Sequence, residues 1–257
     1  MQNSAFPVTV VTGPMRSGTS CVTGLLEQCG FNLGQNIRVL RDETPFNPKG
    51  HFEHDLLYAI NERLLIEVPG DTWTIWHVPE AKAMQDLAAQ REHYFRLFLR
   101  KFDGNLCKDP LFCLTLPFWQ SHWTALRRIV FCLRHPLAVA QSMQRRYALS
   151  LAQGLELWQT YTQRFFASAK QCPVYIFDFD AFTANPLPVF SSLLAWLEQP
   201  RARADLEVIL HDFYGAEHVH WTCREHTLET LPRPIQELYT QVRAHSVLPC
   251  SGALRPG

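Results

Sequence analysis

Four short runs of β-forming residues punctuate the chain: PVTVV at 7–11, NLCK at 105–108, RIVFCL at 128–133 and PVYIF at 173–177. Each is nearly continuously apolar rather than alternating, the pattern of a strand covered on both faces. Elsewhere apolar residues recur at helical spacing. Val22, Leu25, Leu26 and Cys29 form one stripe, ahead of Gly30. Leu87, Arg91, Tyr94, Phe95, Phe98 and Phe102 read as one helix, Leu155, Trp158, Phe165 and Ala169 as another, and Val189, Leu193 and Leu197 as a further one. A last helix is expected near Ile235 to Arg243. Strands alternating with helices predict the α/β class, a P-loop-like central parallel β-sheet flanked by helices on both faces. In such sheets ligands collect at the C-terminal ends of the strands. Three of the four strand exits carry unusual residues: GPMRSGTS, KDP and RHP.

Two segments resist this pattern. Arg38 to Asp55 is polar, aperiodic and contains two prolines, and reads as a long functional loop after the first helix. Residues from Ala216 onward mix His, Trp, Arg and Pro, and the end of the chain, about 246–257, reads as a flexible tail. With 257 residues and no repeat, the expectation is a single domain over 1–257.

Composition narrows the function. Lys plus Arg equals Asp plus Glu at 24 each, so no global field would draw the chain to nucleic acid or an anionic membrane, and any anion site must be local. The start of the sequence lacks the features of a signal peptide, and no apolar stretch approaches ~18 residues, so membrane insertion is not expected and the cytoplasm is the expected compartment. Eight cysteines are scattered without a C-x-x-C pair and read as buried free thiols, not as a zinc cluster or disulfide framework, and no metal site is expected.

The first strand exit carries the main chemistry. Gly13-Pro14-Met15-Arg16-Ser17-Gly18-Thr19-Ser20 lies between a strand and an amphipathic helix, where several backbone N–H groups and the positive end of the helix dipole converge on one spot. A phosphate is the natural guest. A nucleoside triphosphatase loop would follow its second glycine with a lysine; here Thr19 stands there, and the cation is Arg16, inside the loop. At the third exit Arg134-His135-Pro136 opens a helix, and Ser142 follows Arg134 by eight residues. An Arg fork and a Ser hydroxyl at one strand end suit a second phosphate.

With these residues the chain resembles the family of sulfotransferases that use 3′-phosphoadenosine-5′-phosphosulfate (PAPS). That family's first motif, [RK]-S-G-T-[ST], is matched by Arg16-Ser17-Gly18-Thr19-Ser20, and its second, an Arg after a central strand with a Ser eight positions on, by Arg134 and Ser142. Segments 47–55, 108–119 and 177–186 are similar to bacterial and carbohydrate-type members, so the resemblance covers roughly Pro7 to Leu197. It implies the 5′-phosphosulfate on the first motif, the 3′-phosphate on Arg134 and Ser142, and adenosine 3′,5′-bisphosphate (PAP) as product. It also implies no required metal, and a small-molecule or glycan acceptor with a free hydroxyl. The glycine-rich basic C-terminal motif of the cytosolic members has no counterpart; Arg224 and Arg233 are the candidates to substitute.

Sulfuryl transfer needs an in-line acceptor oxygen, a base and cations for the developing charge. Arg16 fits the electrophilic role, acting by charge and not by proton donation. In the cytosolic members the base is a His two residues after a Lys, but here Pro110 occupies that place after Lys108. Other branches use a Glu from the loop after the first helix. That loop offers Glu43, His51, Glu53 and His54, ranked Glu53 first, His51 second and His54 third. Lys108 is expected to steady the transferring group, with a salt bridge to Asp109 or Asp178 as the alternative. Asp180 is assigned to structure. Of the aromatic residues Trp73, Trp76, Phe112, Phe118, Trp119 and Trp123, most are expected in the core and some around an acceptor pocket. Two other readings remain open: a P-loop kinase-like enzyme, and a catalytically silent nucleotide-binding homologue.

Overall fold

The structure, a computed structural model, describes residues 7–44, 49–68, 77–169, 172–214 and 225–248. The chain begins with β1 (Val8–Thr12), α1 (Thr19–Gln28), the short strands β2 (Val39–Leu40) and β3 (Glu53–His54), and α2 (Asp55–Ile66). It continues with α3 (Ala81–Gln90), α4 (Glu92–Lys101), β4 (Leu106–Lys108), α5 (Phe112–Gln120), β5 (Leu126–Leu133), α6 (Pro136–Tyr147) and α7 (Leu151–Ser168). The last part holds β6 (Val174–Asp178), α8 (Phe179–Ala184), α9 (Pro186–Trp196), α10 (Arg203–Phe213), α11 (Arg233–Arg243) and β7 (Val247–Leu248).

All four apolar runs are strands of one sheet, ordered β4-β1-β5-β6-β7. The first four are parallel, and β7 joins β6 antiparallel. Because β4 and β5 flank β1 on opposite sides, the winding reverses at β1. In open sheets of this kind such a reversal is where ligands bind, at the C-terminal ends of the strands.

The continuous hydrophobicity follows from burial on both faces. Along β5, Ile129, Phe131 and Leu133 enter one core with α2 to α7 and α11, while Val130 and Cys132 enter a second with α1, α8, α9 and α10. The first core holds an aromatic stack in which Phe98 meets Trp119 at 5.3 Å and Phe102 meets Trp123 at 5.4 Å, edge to face. Each such ring removes roughly 150–250 Å² from water, about 4–6 kcal/mol at ~25 cal/mol/Å², and this stack fixes the wall of helices beside β4.

Three expectations need correction. The stretch from Leu87 to Phe102 is two helices, α3 and α4, because the chain bends at Arg91 (φ −110°, ψ 20°) and its N–H closes a tight turn on the Ala88 carbonyl at 3.1 Å. The region 38–55 is not irregular throughout: β2 pairs antiparallel with β3, and α2 starts at Asp55. The C-terminal segment is held at its beginning, where Val247 and Leu248 pair with Tyr175 and Val174; 249–257 lie outside the described residues.

Candidate functional site

The loop after β1 is shaped by glycines that no other residue replaces easily. A Cβ on Gly13 would stand 2.5 Å from the Cys132 carbonyl, and one on Gly18, at φ 93°, would stand 2.3 Å from the Phe179 ring. Ser17 N–H closes a turn on the Pro14 carbonyl at 3.1 Å. Gly18 opens α1 without a side-chain cap, so the first amides of the helix face the loop with no side chain of their own covering them. Ser17 Oγ is fully buried and has no hydrogen-bond partner among the described residues. A buried orphan hydroxyl costs free energy, which an anion seated in the loop would recover.

Arg16 takes a left-handed conformation, φ 71°, which is strained for a residue with a Cβ. Two contacts from the RHP exit hold it. Arg134 Nη1 donates to the Arg16 carbonyl at 2.9 Å, and Arg16 Nε donates to Ser142 Oγ at 3.0 Å. The two motifs are thus one assembly. Burial, then the neighbouring Arg146, with Arg134 adding to it, lowers Arg16 to about 10. Arg134 is itself buried, with its guanidinium 5.4 Å over the Phe179 ring. The exit is braced from behind: Trp158 Nε1 donates to the Arg134 carbonyl at 3.2 Å, and His135 N–H donates to Asp180 Oδ2 at 2.6 Å. His135 Nδ1 caps α6 by accepting from Leu137 N–H at 3.2 Å; burial, reinforced by Arg243, pushes this ring down to about 4, so it stays neutral. Asp180 is a structural brace.

The KDP exit supplies Lys108. Its ammonium donates to Glu53 Oε1 at 2.5 Å, the His51 carbonyl at 3.0 Å and Ser20 Oγ at 3.2 Å. Both expected partners therefore give way to Glu53. Asp178 pairs with Arg243 at 2.8 Å. The buried Asp109 carboxylate accepts from Leu111 N–H and from Asn61 Nδ2, each at 2.8 Å. Asn61 Oδ1 in turn accepts from Thr115 Oγ1 at 2.9 Å and Trp119 Nε1 at 2.7 Å. Burial, and then the charge of Glu53, raises Asp109. This network locks the start of α5 to α2.

Glu53 is delivered by the β2–β3 hairpin. Gly50 (φ 95°) and Phe52 (φ 60°) both have left-handed backbones, and Phe52 N–H bonds the Leu40 carbonyl at 2.8 Å. The buried Phe52 ring packs 6.2 Å from Phe213, which keeps Glu53 turned toward Lys108. His51 is half-buried beside them, and burial lowers its ring below the ordinary value although Glu53 opposes the shift. His54, next along the strand, points the opposite way. It is fully buried, bonds the Leu33 carbonyl at 2.6 Å, and sits against the edges of Phe98 and Phe102. It is a core residue, turned away from Lys108. Glu43 is exposed.

Arg16, Ser17, Gly18, Thr19, Ser20, Arg134, Ser142, Lys108, Glu53 and His51 are therefore gathered at adjoining strand exits. Sequence reasoning missed Arg146, which lies one helical turn beyond Ser142 and acts electrostatically on both Arg16 and His51. The i, i+4 spacing from Ser142 was its signal. Arg233 is exposed and paired with Glu237 at 2.7 Å; Arg224, Trp73 and Trp76 lie outside the described residues. Phe112, Trp119 and Trp123 are core residues. A cavity of about 660 Å³ lies away from these exits, between α3, α4, α5 and α7, with Phe118 on its wall. Among the described residues no cluster of His, Cys, Asp and Glu is placed to hold a metal ion, and no helix is long and apolar enough to cross a membrane.

No protein-family model and no curated protein matches the sequence. Solved structures do. The sulfotransferase STF9 from Mycobacterium avium superposes with a TM-score of 0.50 at 12% identity, covering 98% of this chain and 79% of that one. The sulfotransferase domain of the Synechococcus PCC 7002 olefin synthase gives a TM-score of 0.45 at 16% identity, over 99% of this chain and 92% of its own. The sulfotransferase domain from the curacin biosynthetic pathway gives 0.46 at 14% identity, over 93% and 96%. At such identities the first likeness is one of fold, and the two with lower TM-scores add nothing to it.

Proposed function

We propose that this protein is a PAPS-dependent sulfotransferase that moves a sulfuryl group to the hydroxyl of a small-molecule or glycan acceptor. The observation that carries the reading is the uncapped N-terminus of α1 with the orphaned Ser17 hydroxyl inside it, coupled through Arg16 to Arg134 and Ser142. A site with two anion cradles joined by an arginine suits a nucleotide phosphorylated at two positions. The fold shared with STF9 supports it.

In this reading the α1 amides, Ser17, Thr19 and Ser20 hold the 5′-phosphate, and Arg134 and Ser142 hold the 3′-phosphate. The donor supplies a sulfuryl group already activated by its bond to phosphate. Glu53 takes the proton of the acceptor hydroxyl as that oxygen bonds to sulfur. Arg16, cationic at neutral pH even at about 10, receives the charge left on the phosphate oxygen. Lys108 steadies the transferring group. His51, a half-buried neutral ring beside Glu53, is the second candidate for the base. Every proposed ligand is a backbone amide or a side chain, so the reading requires no metal.

The test is thermal stabilisation by PAP in metal-free buffer, which follows RT ln(1 + [L]/Kd), roughly 2.7 kcal/mol at a hundredfold excess over Kd. Sulfated product from PAPS and a panel of hydroxyl acceptors in the presence of a chelator would complete it. Stabilisation by Mg-ATP with none by PAP would replace the reading with a kinase-like one.

A further inference from the structure

An ammonium has three N–H donors, and those of Lys108 are all in use: Glu53 Oε1 at 2.5 Å, the His51 carbonyl at 3.0 Å and Ser20 Oγ at 3.2 Å. The Lys108 side chain is 2% exposed and that of Glu53 12%, so water does not compete for the pair. Ser20 Oγ also donates to the His51 carbonyl at 3.2 Å, closing a ring of three groups beside the phosphate loop, to which Glu53 is attached through Lys108. Lys108 therefore cannot bond a sulfuryl or phosphate oxygen without releasing a partner it already holds.

The geometry decides which partner leaves. The His51 carbonyl is fixed by the left-handed Phe52 that follows it and by the Phe52–Leu40 hydrogen bond. Ser20 is fixed in the first turn of α1. The Ser20 hydroxyl is uncharged and can accept from Lys108 while donating to a phosphate oxygen; Glu53 alone is an anion, held on a longer flexible side chain and repelled by an incoming donor that carries negative charge. We propose that Lys108 is a donor-operated latch on Glu53, pairing with it in the donor-free enzyme and releasing it when the donor's sulfuryl oxygens arrive. The proposal rests on the sulfotransferase reading and adds an order to it. Glu53 is quenched by its cation until the donor is seated, and the same event that places Lys108 on the transferring group frees the carboxylate to take the acceptor's proton. Donor binds first, and an acceptor alone meets an occupied base.

Release leaves Glu53 without its cation while the other groups facing it remain: Asp109 from the exit of β4, Tyr58 from α2, and His51 on its own hairpin, with Arg16 and Arg146 beyond His51. The Glu53 carboxylate then exchanges an ammonium for other hydrogen-bond partners, which moves the carboxylate stretch in the infrared. The probe is adenosine 5′-phosphosulfate together with PAPS, both without acceptor. Infrared difference spectra between donor-bound and donor-free protein are recorded for the wild type and for Glu53→Gln. The latch predicts a carboxylate band pair in the wild type that the variant lacks. Should Glu53→Gln not fold, Glu53→Asp is expected to displace the same band pair. Donor binding with identical difference spectra in wild type and variant overturns the latch and leaves the sulfotransferase reading intact. Failure of both nucleotides to bind the wild type overturns that reading and the latch with it.

Discussion

Arg134→Ala separates two jobs that the structure lays on one side chain. The guanidinium holds the strained Arg16 carbonyl at 2.9 Å, and in the proposed complex it also grips the 3′-phosphate. Its loss removes one charged hydrogen bond from the loop, about 1.5–3 kcal/mol, and a ring contact with Phe179 of about 0.5–2 kcal/mol. Relief from burying a cation offsets part of this, so the expected loss of folding stability is about 1–2 kcal/mol. The binding effect has a different signature. Losing the charged bond to phosphate, about 1.5–3 kcal/mol, weakens PAP by roughly 10- to 150-fold. Adenosine 5′-phosphate should suffer only the indirect loosening of the loop. Isothermal titration of both nucleotides to wild type and variant reads the difference directly. Ser142→Ala should show the same preference change at smaller size, since a hydroxyl contributes a weaker bond than a guanidinium. Equal losses for the two nucleotides in Arg134→Ala would refute the reasoning and reduce the second motif to a prop for Arg16.

Glu53→Gln should leave PAP affinity nearly intact while single-turnover rates fall by about 10²–10⁴-fold; normal turnover there with a dead His51→Ala variant would move the base to His51. Gly18→Ala forces a Cβ into a backbone at φ 93° and within 2.3 Å of Phe179, and should destabilise the fold by more than ~1 kcal/mol in urea titration; an unchanged midpoint would show that the loop relaxes freely. His135 titrates near 4 when folded and near 6.5 when unfolded. Between those values the unfolded state binds more protons, so stability is lost as pH falls through this window, and His135→Gln should flatten that part of the stability–pH curve measured by denaturant titration.

The fold was legible wherever one local signal sufficed. The continuous apolar runs identify the four parallel strands, because burial on both faces leaves no polar positions within them. Signals failed where tertiary contacts outweigh local pattern. Val247 and Leu248 carry too little sequence to announce a strand and depend on the free edge of β6. The bend at Arg91 preserves a helical apolar stripe on both sides, so periodicity alone cannot reveal it. The hairpin that delivers Glu53 is set by left-handed Gly50 and Phe52, and nothing in the identity of Phe52 marks it for that conformation.

The residues of the site were legible for a different reason. A chain with 24 acidic and 24 basic residues announces no anion-binding function by composition. Arg16, Lys108 and Arg134 are far apart in sequence, but each ends or follows one of the parallel strands of one sheet, and parallel strands bring their C-terminal ends to one edge. Position relative to a strand end is therefore the property that converts scattered cations into a local positive field, and Arg146 joins them only by lying a turn beyond Ser142 on the helix that the third exit starts. His54 shows the converse. It neighbours Glu53 in sequence, yet strand alternation sends it into the aromatic core against Phe98 and Phe102. Two adjacent residues of the loop, ranked first and third as candidate bases, are divided by a single pleat, and only the first of them faces Lys108.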